Sequence, residues 1–170
     1  MGKMKRLEPP DSHYLDAAIG WLELGLVEEA KREMKQISRE QGEHPDVLEV
    51  CWRIDAGEQH WDAALEVARK LVARAPNRAD GWLHHAYALR RASEGGLEKA
   101  WEALAPAAEK FLQEPIIPYN LACYACQMRQ LDKAWAWLKR ALQIGGKETL
   151  KQMALSDADL EPLWDEIRQL

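Results

Sequence analysis

A repeat of about 34 residues constrains the fold of this chain more than any other feature of its sequence. Four short segments share one pattern: a bulky apolar residue, two mostly polar residues and then alanine. The segments are VEEA (27–30), WDAA (61–64), LEKA (97–100) and LDKA (131–134), and their alanines are 34, 36 and 34 residues apart. Because self-similarity at a fixed period of this length is typical of repeat architectures, the chain is predicted to be a stack of similar units.

Each unit is predicted to be a pair of helices. Apolar residues recur four and seven positions after each repeated alanine, which indicates a helix with one apolar face. These residues are Met34 and Ile37, Ala68 and Leu71, Leu104 and Ala107, and Leu138 and Ala141. A second helical stretch precedes each alanine, over residues 14–23, 47–56, 82–91 and 119–128, and a short polar or glycine-bearing segment joins the two. The third spacing is longer because the segment ASEGG contains two extra residues.

The chain resembles the tetratricopeptide-repeat proteins, whose unit is a helix–turn–helix of 34 residues. GWLHHAYAL (81–89) contains the family's opening tryptophan, and PYNLACYACQMRQLDKAWAWLKRAL (118–142) follows the family pattern throughout. ARAPNRADGW (73–82) matches the usual joint between repeats. The resemblance implies an all-α fold, a right-handed superhelical stack of antiparallel helix pairs. Its four repeats would span residues 11–44, 45–78, 79–114 and 115–146.

The two ends of the chain are predicted to lie outside the repeats. We expect residues 1–10 to form a disordered tail. Residues 147–170 follow a double glycine and are expected to form capping helices, a short one over 147–155 and a final one capped by Ser156 or Asp159. Such helices would cover the last apolar face of the array. The alternative is an appendage whose acidic residues suit a basic partner.

Two residues depart from the family pattern. Trp52 is bulky where the family has a small residue, so the first helix of repeat two is expected to be shifted or bent. Pro106 removes a backbone donor inside the second helix of repeat three, and we expect it to kink that helix or delay its start.

The resemblance also implies a binding groove, because in this family the first helices line the concave side of the stack. The matching positions are basic and aromatic in the second half of the chain. The candidate groove residues are Arg53, His84, Tyr87, Arg90, Arg91, Tyr119, Asn120 and Gln127. Such a surface suits an acidic or carboxylate-bearing peptide, and the alternative is a solvated charged face.

One known mechanism of the family is not expected in this chain. The clamp that holds the carboxylates of chaperone C-termini requires lysine, asparagine and arginine at five positions. These positions hold Leu15, Ile19, Val50, Asp80 and His84 here, so the sequence does not predict a clamp of that kind.

Cys123 and Cys126 form a C-x-x-C motif, which can serve redox chemistry or metal binding. Their place inside a repeat helix favours small packed side chains instead, because Cys123 lies about one turn from the helix N-terminus that would stabilise a thiolate. The five histidines are scattered, and no phosphate-binding glycine motif occurs. We therefore predict no catalytic residue, no metal and no cofactor.

Composition limits the choice of partners. A net charge of −5 with interspersed signs argues against nucleic acid, and charged residues break every apolar segment, which argues against a membrane span. Three cysteines and the absence of an apolar leader favour the cytoplasm.

We expect a non-catalytic scaffold that binds a peptide or protein segment. The alternatives are a chaperone that masks one client and, less favoured, a thiol-redox helper. Eight tryptophans against one phenylalanine are compatible with a homo-oligomer.

Overall fold

The computed structural model describes residues 6–170, which form helices and no strand. The helices are numbered in chain order. The first helices of the four pairs are α1 (Asp11–Glu23), α3 (Pro45–Gly57), α5 (Ala79–Leu89) and α8 (Ile116–Gln127). The second helices are α2 (Val27–Met34), α4 (Trp61–Arg74), α6 (Leu97–Leu104) and α9 (Leu131–Gly145). The other elements are α7 (Ala107–Lys110), α10 (Lys147–Ser156), α11 (Trp164–Arg168) and two 3₁₀ segments, Arg39–Gln41 and Ala158–Leu163. The all-α prediction is therefore confirmed over residues 6–170.

The pairs stack in chain order. Each first helix packs against its own second helix, and that second helix packs against the first helix of the next pair. The first helices α1, α3, α5 and α8 also contact one another in series, which puts them together on the concave side of the stack. We call their concave faces the inner wall.

The repeated alanines lie at the crossings between helices. Ala30, Ala64, Ala100 and Ala134 have no exposed surface. A methyl side chain lets two helix backbones approach closely, and a larger one would have to displace a neighbour in an interior that is already densely packed. The 34-residue period therefore marks one fully buried small residue in each pair.

Three of the four turns between paired helices share one backbone conformation. Gly25, Gln59 and Arg129 have φ angles of 75°, 61° and 62°, and each precedes the repeated alanine of its pair by five residues. The residue after each of them donates its backbone N–H to the carbonyl of the residue five positions before the donor, with N–O distances of 2.8–2.9 Å. This arrangement is the Schellman motif, in which a left-handed residue ends a helix.

The turn of the third pair is longer, as the sequence spacing predicts. α5 ends at Leu89 and α6 begins at Leu97. Gly96 has a φ of 131°, and a Cβ added to Gly95 would lie 1.6 Å from the carbonyl oxygen of Leu89. The two glycines of this turn are therefore required by backbone conformation and by close backbone contact.

Pro106 interrupts the second helix of the third pair. α6 ends at Leu104, and α7 begins at Ala107, directly after the proline. Proline lacks the amide hydrogen that would continue the helix, but it fits just before a new one. The expected disturbance at this position is thus observed as a break.

The buried apolar side chains form three clusters along the stack. One lies in the first pair and α3, one joins α4 to α5, and the largest extends from α5 to the end of the chain. Leu7 packs in the first cluster, although the sequence predicted a disordered tail over residues 1–10. Residues 1–5 of that predicted tail lie outside the described residues.

Residues 157–170, here called the C-terminal segment, fold back over α8 and α10. α10 agrees with the short helix predicted over 147–155. A final helix is also present, but its predicted cap and start are wrong. The capping residue is Asp157, whose carboxylate accepts a hydrogen bond from the amide of Asp159 at 3.0 Å. It begins a 3₁₀ segment that contains Pro162, and regular α-helix starts only at Trp164. Proline within the segment removes a backbone donor that an α-helix would use.

The left-handed turn residues give a test of the fold. Gln59→Gly should raise the free energy of unfolding by about 0.5–1 kcal/mol, because glycine adopts positive φ without steric cost. Urea unfolding followed by circular dichroism measures this change. Gln143→Gly, on the exposed face of α9, is the control and should lower the stability by a similar amount. A loss of stability in both variants would contradict the interpretation of the turn.

Candidate functional site

The structure divides the predicted groove residues into two groups. One group contacts the C-terminal segment and consists of Arg90, Tyr119 and Gln127. The other group, here called the open group, forms no hydrogen bond to that segment within residues 6–170. It lies on α3, on α5 and just after α5, and consists of Arg53, His84, Tyr87 and Arg91. Asn120 belongs to neither group, because its side-chain amide donates a hydrogen bond to the carbonyl of Ile116 in its own helix, at 2.9 Å.

Asp159 attaches the C-terminal segment to the third and fourth pairs. Its carboxylate forms a two-pronged ion pair with the guanidinium of Arg90, in which Nη2 lies 2.9 Å from Oδ1 and Nη1 bonds to Oδ2. The amide of Gln127 donates to the backbone carbonyl of Asp159 at 3.0 Å. A forked arginine–carboxylate pair fixes the orientation of both groups, so the segment is held in one position on the inner wall.

Asp157 makes the second polar attachment. Its Oδ2 accepts hydrogen bonds from the hydroxyl of Tyr119 at 3.0 Å and from the thiol of Cys123 at 3.5 Å. Burial, the neighbouring Cys123 and Asp157 raise the pKa of Tyr119 far above its ordinary value, so the hydroxyl keeps the proton that it donates.

The two cysteines of the C-x-x-C motif are free thiols buried behind this segment. Burial and the negative charge of Asp157 raise the pKa of Cys123 far above its ordinary value, and burial likewise raises the pKa of Cys126. Because the thiolate is the reactive form, both groups are chemically inert at neutral pH. This environment is the opposite of what a thiol-redox helper requires.

Cys123, Asp157 and Asp159 are close enough to share an ion, with one ligand atom of each within 4.8 Å of the others. Every carboxylate oxygen of the cluster, however, already accepts a hydrogen bond from the protein. The guanidinium of Arg90 supplies the compensating positive charge. The cluster is therefore explained by the attachment of the C-terminal segment.

The open part of the inner wall is built on a series of touching rings, here called the aromatic cluster. Trp52 stacks on His84 with ring centroids 3.7 Å apart, and its edge meets Tyr87 at 6.1 Å. Tyr87 in turn contacts Trp61 at 5.8 Å. The Nε2 atom of His84 bonds to the carboxylate of Glu49 at 2.8 Å, which fixes the stacked ring.

Trp52 was expected to shift or bend its helix. Its ring fills the space between α3 and α5 by stacking on His84, and α3 is one continuous helix from Pro45 to Gly57. A planar imidazole on the facing helix lets a large ring occupy the position of a small residue.

Arg91 lies against the aromatic cluster. Its Cζ atom is 3.7 Å from the ring centroid of Tyr87 and 5.2 Å from that of Trp61. One nitrogen also donates to the carbonyl of Tyr87 at 3.1 Å. Arg91 and Trp61 line a cleft of about 470 Å³ at the edge of the wall. A cation held on two ring faces is ordered before any ligand arrives.

Exposure and charge single out the open group. Among residues 6–170, Tyr87 is the only exposed large aromatic side chain, at 38%. Arg53 and Arg91 form no ion pair within the same residues. The sequence missed Trp61 as a member of this site, although it is the largest of the four bulky residues that open the repeated pattern. It also missed the contacts of Asp157 and Asp159 with the inner wall.

Comparisons with solved structures identify the fold. The thermophilic TPR protein TTC0263 of Thermus thermophilus aligns over 94% of this chain and 100% of its own, with a TM-score of 0.70 and 21% identity. The chain has the tetratricopeptide-repeat fold. MamA (41-end) from Desulfovibrio magneticus RS-1 aligns over 97% of both chains with a TM-score of 0.70 and 18% identity. No protein-family model and no curated protein matches this sequence.

A third protein with this fold has a described binding site. YrrB, "a TPR protein with an unusual peptide-binding site", aligns over 85% of this chain and 74% of its own, with a TM-score of 0.66 and 17% identity.

Among residues 6–170, the helices of the tetratricopeptide-repeat stack are all too short or too polar to cross a membrane.

Attachment of the C-terminal segment predicts a stability effect. Ile167→Ala should lower the free energy of unfolding by about 2–4 kcal/mol, because the side chain is fully buried in the largest cluster and its loss leaves a cavity. Glu166→Ala, on the exposed side of α11, should change the stability by less than about 0.5 kcal/mol. Thermal and urea unfolding would measure both changes. An Ile167→Ala protein as stable as the control would mean that the segment is not attached.

Burial of the two thiols predicts that they react slowly with disulfide reagents. In a Cys51→Ser variant, Cys123 and Cys126 should react with a disulfide reagent at pH 7 at least about 100-fold more slowly than the same thiols do in denaturant. Absorbance of the released thiolate follows the reaction. Rapid modification of the native protein would show that the thiols are accessible and would reopen the redox alternative.

Proposed function

We propose that this protein is a non-catalytic scaffold that holds a segment of another protein along the inner wall of α1, α3 and α5. The observation that carries this proposal is the open group, in which the exposed ring of Tyr87 lies against Arg91 and the half-buried Arg53 lies on the preceding first helix. Neither arginine forms an ion pair within residues 6–170. Tyrosine and arginine in such positions are the residues that most often anchor a protein interface.

Each open residue has a distinct role in this proposal. Tyr87 offers a rigid apolar surface, and Arg53 and Arg91 offer forked donors for polar groups of the partner. His84 acts through its neighbours, since its bonds to Glu49 and its stack on Trp52 hold the surface in shape.

The residues that contact the C-terminal segment have a different role. Arg90 at the end of α5, and Tyr119 and Gln127 on α8, bond to that segment, so their proposed role is to hold it. The partner's contact area is thereby limited to the first three pairs. The peptide-binding site described for YrrB, a protein of the same fold, supports recognition of a peptide.

A non-catalytic role agrees with the chemistry of the wall. Glu49 is bonded to His84, Asp159 to Arg90 and Asp157 to Tyr119, and the two thiols behind the wall are protonated. A general base needs a free proton acceptor, and a nucleophile needs activation. These residues have neither.

Photo-crosslinking tests the proposal. A benzophenone amino acid in place of Tyr87 should link the chain to its partner in extracts of the source cell, and the same amino acid in place of Lys70 on α4 should not. The variant Arg53→Ala/Tyr87→Ala/Arg91→Ala should lose partners that the wild type retains, as quantified by mass spectrometry. Unchanged helicity by circular dichroism excludes unfolding. Equal crosslinking at both positions, or full retention by the triple variant, would overturn the inner wall as the binding surface.

A further inference from the structure

Some charged side chains of the inner wall form ion pairs within residues 6–170, and others do not. Glu49 is bonded to His84 and Arg90 to Asp159, so these charges are used within the chain. Arg53 and Arg91 are the inner-wall cations that form no ion pair within residues 6–170. Both are half-buried, so part of their hydration is already lost, and this loss favours a negatively charged ligand.

Arg91 is prepared for such a ligand. Its guanidinium lies over the ring of Tyr87 and donates one hydrogen bond to the carbonyl of the same residue. The planar fork presents five N–H groups in all, and the remaining ones are available. Because the side chain is ordered in advance, pairing it with a carboxylate costs little additional conformational entropy.

The C-terminal segment of the chain is itself bound to part of the inner wall. The segment Asp157–Ala158–Asp159 places two carboxylates, two residues apart, against the arginine fork at the end of α5 and against a tyrosine hydroxyl and a thiol of α8. Leu160 follows and is fully buried. An acidic turn followed by an apolar residue is thus a ligand that already fits one part of this wall.

We infer that the partner segment is acidic, with carboxylates that pair with Arg53 and Arg91 and an apolar side chain that lies on Tyr87. This inference rests on the proposed function and names the chemistry of its ligand. The tail of a second copy is a poorer occupant, since Leu160, Leu163 and Ile167 hold each tail in its own core. A nucleic acid is also disfavoured, because its regularly repeated phosphates need a basic stripe, whereas the inner wall offers only the two arginines Arg53 and Arg91 without an ion pair within residues 6–170.

A labelled peptide provides the probe. The peptide SDADLEPLW repeats residues 156–164 of the chain, and SNANLEPLW is its counterpart with both aspartates neutralised. Fluorescence anisotropy at low ionic strength should show binding of the acidic peptide to the full chain. The neutralised peptide should bind about tenfold more weakly, and raised salt should weaken the acidic peptide toward the same level.

Variants locate the binding. Arg53→Gln/Arg91→Gln should weaken the acidic peptide about tenfold, whereas the control Lys35→Gln/Lys70→Gln removes two exposed cations elsewhere and should have little effect. Arg90→Gln distinguishes exchange with the chain's own tail, because only that mode of binding depends on the Arg90 fork. Equal binding of both peptides, equal binding by Arg53→Gln/Arg91→Gln and wild type, or loss only in Arg90→Gln would overturn the inference.

The two proposals fail in different ways. If crosslinking at Tyr87 succeeds and the acidic peptide does not bind, the inner wall is the binding surface but its ligand is not acidic. If the crosslinking is unspecific as well, the proposed function fails with it.

Discussion

The stack depends on one packing constraint, the fully buried alanine at each helix crossing. Ala30, Ala64, Ala100 and Ala134 permit a backbone separation that no larger side chain would allow. In three of the pairs a left-handed turn residue lies five positions earlier and reverses the chain so that the second helix reaches its place. Helix packing and chain reversal thus depend on two residues that lie five positions apart in the sequence. Since each pair contacts mainly its neighbours, repetition of this local solution is sufficient to build the whole array.

The joint between the second and third pairs is the exception, and it coincides with the candidate site. Trp52 stands where the repeat pattern has a small residue, and it stacks on His84 of the next first helix. The ring of Tyr87 contacts Trp52 and is itself exposed. Stability at this joint therefore comes from planar groups that extend to the surface. A departure from the repeat that serves packing on one side leaves an aromatic side chain exposed on the other.

The predictable part of the structure is the part that depends on local spacing. The helix pairs, the longer third turn and the break at Pro106 follow from periodicity and from the chemistry of glycine and proline. The contacts of the C-terminal segment could not be predicted in this way, because Asp157 lies 38 residues from Tyr119 and Asp159 lies 69 residues from Arg90. Their pairing depends on the curvature of the stack and on Pro162, which delays α11 and orients the segment toward α8. Sequence alone therefore named candidate groove residues without showing which of them the chain itself would cover.

The C-terminal segment also gives the inner wall a direction. At the fourth pair the wall meets Asp157 and Asp159, which belong to the same polypeptide. Under the proposed function, a bound segment that follows the wall from α1 meets these two residues after α5. We therefore expect the surface to favour chain termini and sharp turns over long extended stretches.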